Sequence, residues 1–159
     1  MSLKKTNAAR FLDTLKIAYE LTSYEVDEED LSATHAAQML GVDTSLVFKT
    51  LVARDEKNLP LVACIPSHEE IDLKALARLA NVKRCELVAV KELLGLTGYI
   101  RGGCSPLGMK KHFATFFDET LLCHPHVYVS AGLRGLQLKL SPSDLITASK
   151  GYCGAITKH

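Results

Sequence analysis

Residues 45–66, SLVFKTLVARDEKNLPLVACIP, set two runs of aliphatic and β-branched residues on either side of the polar turn RDEKN. Each run is strand-length, and a connection this short returns the second run antiparallel to the first. The chain is therefore committed to a sheet, and its other elements must cover that sheet. HVYVSAG and RGLQLKL repeat the pattern further on, pairing across a turn centred on Ala131 to Arg134. AYELTSYEV reads as an early strand that ends at the acidic turn DEED, and CELVAV reads as another.

Short helices fill the gaps. Thr6 caps one that runs to about Leu15, with Ala9, Leu12 and Leu15 near one face. LSATHAAQMLGV follows, with Ser32 as N-cap and Gly41 just past its end. Asp72 caps LKALARLA, and KELLG gives one helical turn. Ser141, Pro142 and Asp144 open a last helix in SPSDLITAS. Strands outnumber long helices, and most neighbours can be joined by hairpins. That composition predicts an α+β fold with a mixed, mainly antiparallel, barrel-like sheet. At 159 residues, 1–159 reads as a single domain.

A net charge of +1 supplies no global attraction to polyanions, so any nucleic-acid contact must come from a local patch. No apolar run approaches the length of a bilayer span. The N-terminus has basic residues but neither a signal core nor a cleavage site, which points to the cytoplasm. The five cysteines are odd in number and lack a C-x-x-C pair, arguing against a disulfide framework or zinc. Cys64 and Cys85 sit in apolar runs and read as small buried hydrophobes. His124 and His126 form an H-x-H pair without a third ligand, so neither metal nor cofactor is expected.

The chemistry concentrates in two places. Lys49 sits in VFKTLVA, where alternation puts it beside Val47 and Leu51 and opposite Phe48 and Thr50. Such a lysine either snorkels at a sheet edge or stands as a fixed cation at a cleft. TGYIRGGCSPLGMKKH holds Gly102 and Gly103 after a strand-like YI, with cations following. It matches neither G-x-G-x-x-G nor the P-loop pattern, so it is either a plain turn or a loop presenting backbone N–H groups. Cys104 in the same loop lacks a histidine tied to it as a base, and Ser130 lies in no G-x-S-x-G elbow. The residues alone define an α+β domain with one candidate cleft.

Taken in order, SYEVD, VFKTLV, IDLKALAR, TGYIRGGCSPLGMKK, YVSAGLRGLQLKL and PSDLI resemble the YbaK/prolyl-tRNA-synthetase-associated-domain family. The resemblance runs from about Tyr24 to Leu145, and the length is that of the free-standing YbaK-type Cys-tRNA(Pro) deacylases. It implies hydrolysis in trans of mischarged tRNA, most directly Cys-tRNA(Pro) and also Cys-tRNA(Cys), with prolyl-tRNA synthetase as a partner. It implies Lys49 and Gly102 as the catalytic pair holding the ester, with Tyr24, Thr50, Gly103, Ser130 and Gln137 around the substrate. The cysteine's own thiol would attack its carbonyl, and Cys104 would be a bystander. Arg101, Lys110, Lys111, His112 and Arg134 form a basic strip for acceptor-stem phosphates. Two positions depart from the family pattern: Ser32 lies near a family phenylalanine, and Gln137 replaces an aspartate. Water attack on Ala-tRNA(Pro), a non-catalytic tRNA-end or nucleotide-binding module, and a Cys104 thiol hydrolase are the competing readings.

Overall fold

The structure, a computed structural model, describes residues 5–158. Its elements in chain order are α1 (Asn7–Thr14), β1 (Glu20–Ser23), α2 (Ala33–Leu40), β2 (Phe48–Asp55), β3 (Pro60–Pro66), α3 (Leu73–Ala80), β4 (Cys85–Leu87), α4 (Val90–Thr97), β5 (Ala114–Asp118), β6 (Val127–Leu133), β7 (Leu136–Leu140), α5 (Pro142–Ser149) and β8 (Tyr152–Gly154). Short 3-10 turns at Thr44–Leu46 and Glu119–Cys123 complete the path.

The hairpin forms as expected, with Phe48 opposite Pro66 and Arg54 opposite Pro60. β3 is central and buried on both faces, which is why its sequence is a continuous apolar run rather than an alternating one. Val62 and Cys64 enter the main core with Phe48, Val52 and Phe117. Leu61, Ala63 and Ile65 face the other way, onto Leu76 of α3.

Two sheets result, ordered β1-β7-β6 and β4-β2-β3-β5-β8. They meet where Val47 bridges Tyr128, so the assembly is barrel-like without closing. β5 and β8 are parallel additions to the larger sheet. Neither was legible: the partner of β5 lies some fifty residues upstream, and β8 is only three residues long.

The caps read from the sequence are present. Thr6, Ser32, Asp72 and Ser141 each accept a backbone N–H of the first helical turn. Elsewhere the boundaries move. The early strand shrinks to Glu20–Ser23. The strand expected over CELVAV stops at Leu87, and Val90 already begins α4. The cause is local: the Glu92 carboxylate accepts the Ala89 N–H at 3.2 Å and the Arg54 guanidinium at 2.7 Å, which starts a helix there. The β6–β7 turn lies at Arg134–Gly135 rather than Ala131 to Arg134, because a bulge between Ser130 and Leu133 lengthens β6. Cys85 is only half-buried, where a fully buried thiol was expected. Tyr99 and Ile100 are loop rather than strand.

Candidate active site

Four separated segments enclose a pocket of about 270 Å³. The first turn of α2 supplies Ala33 and Ala36, with Leu31 just before it. The start of β2 supplies Phe48, Lys49 and Thr50, and the glycine segment supplies Arg101, Gly102 and Cys104. The β6–β7 hairpin supplies Ser130 and Gln137, and Ser32 and Tyr24 on the α2 side with Val47 and Leu51 on the β2 side complete the lining. The structure thus brings together six of the seven residues expected around the substrate: Lys49, Gly102, Tyr24, Thr50, Ser130 and Gln137.

Gly103 is the exception. It is buried beneath the pocket, where an added Cβ would lie 3.1 Å from the backbone of Leu133 and Arg134. Its N–H donates to the Ile100 carbonyl at 2.9 Å. That bond closes a β-turn over Ile100–Gly103 in which Gly102 takes φ +84°, the third-position geometry of a type II turn. The Gly103 amide is therefore spent on the fold. The Gly102 amide has no acceptor among the described residues.

Lys49 is half-buried, and among the described residues its ammonium makes neither an ion pair nor a hydrogen bond. Burial holds its pKa below the ordinary 10.5, while Glu70 and then Glu69 oppose that shift. An unpaired cation in such a place attracts an anion or a carbonyl oxygen that gains charge. Gln137 is 5% exposed, and its side-chain oxygen lacks a partner among the described residues. An orphaned amide in a pocket is a waiting ligand contact. Ser130 accepts the Gly132 N–H at 3.1 Å, and the Thr50 hydroxyl lies 3.6 Å from the Cys64 sulfur. Both still face the pocket.

Burial pushes the Cys104 thiol up to about 11, with the neighbouring Thr97 hydroxyl opposing the shift. A thiol so raised supplies almost no thiolate at neutral pH. Cys104→Ala is therefore expected to keep catalytic turnover within about threefold of wild type. A steady-state ester-hydrolysis assay checks it, and abolished turnover would restore the thiol-hydrolase reading.

The basic strip divides. Arg101 stands exposed at the pocket mouth. Lys111 and His112 line a different hollow with Lys150, and the Lys110 stem covers Gly98. Arg134 is already engaged, donating to the Glu28 carboxylate at 2.8 Å. The sequence reading missed the apolar wall of Leu31, Ala33 and Ala36, because small aliphatic residues in a helix turn carry no chemical signature.

An unpaired ammonium and a glycine turn lining one small, largely apolar hollow are the features of this α+β domain that comparison with known proteins must account for. The chain belongs to the aminoacyl-tRNA editing domain family, whose model matches residues 27–148. It is 42% identical over 154 residues to EbsC of Enterococcus faecalis, a proposed Cys-tRNA(Pro)/Cys-tRNA(Cys) deacylase, covering 97% of this chain and 94% of the relative. Two crystal structures share its fold. One, of the protein APE2540, has a TM-score of 0.87 at 24% identity and covers 96% of this chain and all of that one. The other, of a proposed trans-editing enzyme for prolyl-tRNA synthetase, has a TM-score of 0.82 at 22% identity, covering 99% and 100%. The family resemblance read in the sequence is borne out. Among the described residues no helix is long and apolar enough to cross a membrane.

Proposed function

We propose that this protein is a trans-acting deacylase of Cys-tRNA(Pro), accepting Cys-tRNA(Cys) as well and working beside prolyl-tRNA synthetase. The observation that carries the reading is that Lys49, with no ion pair among the described residues, and the Gly102 turn line one pocket of about 270 Å³. An aminoacyl ester placed there sets its carbonyl oxygen toward the Gly102 N–H and Lys49. Both stabilise the negative charge that builds on that oxygen. The substrate thiolate attacks its own carbonyl carbon, a C–S bond forms, and the C–O bond to the ribose breaks. The ribose oxygen takes up from solvent the proton that the thiol gave up, and water then opens the resulting thiolactone to free cysteine. A pocket alone separates side chains that differ by a methylene by only about 1–3 kcal/mol, so a step requiring a thiol supplies selectivity that size cannot.

The pH profile follows from the groups involved. Activity rises as the substrate thiol ionises and falls as Lys49 loses its proton, at a midpoint below 10.5. Glu70 raises the Lys49 pKa, so Glu70→Gln is expected to move only the alkaline limb, toward lower pH. The shift is small because the Glu70 side chain is 78% exposed and also lies 3.5 Å from Lys158. A profile measured from pH 6 to 10 in both proteins checks this.

The deciding assay compares release of cysteine from Cys-tRNA(Pro) with release of alanine from Ala-tRNA(Pro) by the wild-type protein. Cysteine release alone supports the thiol-assisted route. Release of alanine at a similar rate replaces it with water attack. Binding without turnover of either ester moves the protein to the binding-module reading.

A further inference from the structure

We infer that Arg134 is a positioning residue that holds the Arg101–Gly102 peptide with its N–H directed at the substrate carbonyl, and that Glu28 anchors it. The inference rests on the deacylase reading and assigns Arg134 a role other than phosphate contact. The Arg134 Nε donates to the Arg101 carbonyl at 2.9 Å, and its Nη1 donates to the Glu28 carboxylate at 2.8 Å. One guanidinium thus ties together the acidic loop after β1, the β6–β7 turn and the glycine turn.

The peptide so held is the one most free to rotate. In a β-turn whose third residue is glycine, the central peptide can invert between type I and type II at little cost. Inversion exchanges the directions of its C=O and N–H. Because the peptide is planar and trans, an Arg101 oxygen fixed by Arg134 leaves the Gly102 N–H on the opposite edge. Arg101 and Gly102 both line the pocket and Arg134 does not, so the guanidinium that holds the Arg101 carbonyl lies outside the lining. On this proposal the opposite edge of the peptide, the Gly102 N–H, is the one offered to the ester. Without the guanidinium, the turn can present a carbonyl oxygen to the ester in place of a donor.

The close approach of Gly103 to the Leu133–Arg134 backbone fixes the distance over which the clamp acts. Arg134 keeps 29% of its side-chain surface exposed and Glu28 keeps 71%, so removing either charge leaves no buried partner stranded.

The test uses full-length Arg134→Met, Arg134→Lys and Glu28→Gln in deacylation of Cys-tRNA(Pro), with thermal melts and amide Overhauser spectra. Arg134→Met is expected to lower kcat about tenfold to a hundredfold while KM stays within about threefold. The melting temperature and the salt dependence of KM stay near wild type. Arg134→Lys, which can still donate to the Arg101 carbonyl, recovers part of kcat, and Glu28→Gln loses about two- to fivefold. A strong contact between the Arg101 Hα and the Gly102 amide proton marks the held orientation. Arg134→Met is expected to replace it with contact between the two amide protons.

A rise in KM with a flatter salt dependence, at unchanged kcat and an unchanged Overhauser pattern, would make Arg134 a phosphate contact and overturn the proposal. Wild-type kinetics in Arg134→Met overturns it equally. Should the wild-type protein cleave no ester, the deacylase reading falls, and the Overhauser pattern alone then decides whether Arg134 holds the peptide.

Discussion

Lys49→Met is expected to reduce kcat/KM for deacylation at least about a hundredfold while leaving the fold intact. Methionine keeps the length of the apolar stem and removes only the charge. No ion pair or hydrogen bond is lost among the described residues, because Lys49 makes none. Taking away a half-buried, unpaired ammonium relieves a desolvation cost, so the melting temperature should hold or rise. The stability of the parent carries the same sign. A folded-state pKa below the unfolded 10.5 means that the cost is present at neutral pH and fades as pH climbs through the folded pKa toward 10.5. Loss of turnover beside an unimpaired melt is the signature of a catalytic cation. A fall in affinity alone, with turnover unchanged, would instead assign Lys49 to binding.

Gly102→Ala should lose more than about tenfold in turnover, and Gly98→Ala isolates the reason. Both glycines have positive φ, +84° and +87°, so an alanine costs each about 1–2 kcal/mol in backbone strain. At this chain length that is a few degrees of melting temperature for either variant. Their surroundings differ. A Cβ at Gly98 meets only the flexible stem of Lys110 at 3.1 Å. A Cβ at Gly102 lies 3.1 Å from the Leu31 Cβ, on the pocket wall, and the strain is relieved most easily by rotating the peptide that carries the donor. Comparable melts with turnover lost only in Gly102→Ala would place the effect at the ester. Equal turnover in the two variants would remove Gly102 from the reaction.

How much of this was legible depended on the range over which each signal acts. The hairpin of β2 and β3 and the caps at Thr6, Ser32, Asp72 and Ser141 are set by residues within a few positions of one another, and all of them form. β5 and β8 escaped because their partners are distant and parallel, so no turn announces them. Lys49 and Gly102 were conspicuous for opposite reasons, one a charge among aliphatics and the other a residue that permits a positive φ. That they share a pocket with Tyr24, Ser130 and Gln137 came only through family resemblance. Arg134 shows the limit. Its charge suggested phosphate, and its ion pair with Glu28, 106 positions away, is one that no local pattern could reveal.

The segments that enclose the pocket are separated by up to about a hundred residues of chain, and contacts such as the Val47–Tyr128 bridge and the Gly102–Leu31 approach bring them together. The site therefore depends on contacts between distant parts of the chain rather than on any one local segment. Folds dominated by such distant pairings are slow to form. A site assembled from such distant parts is complete only when the native topology is, so the order in which those parts come together also sets when the pocket exists.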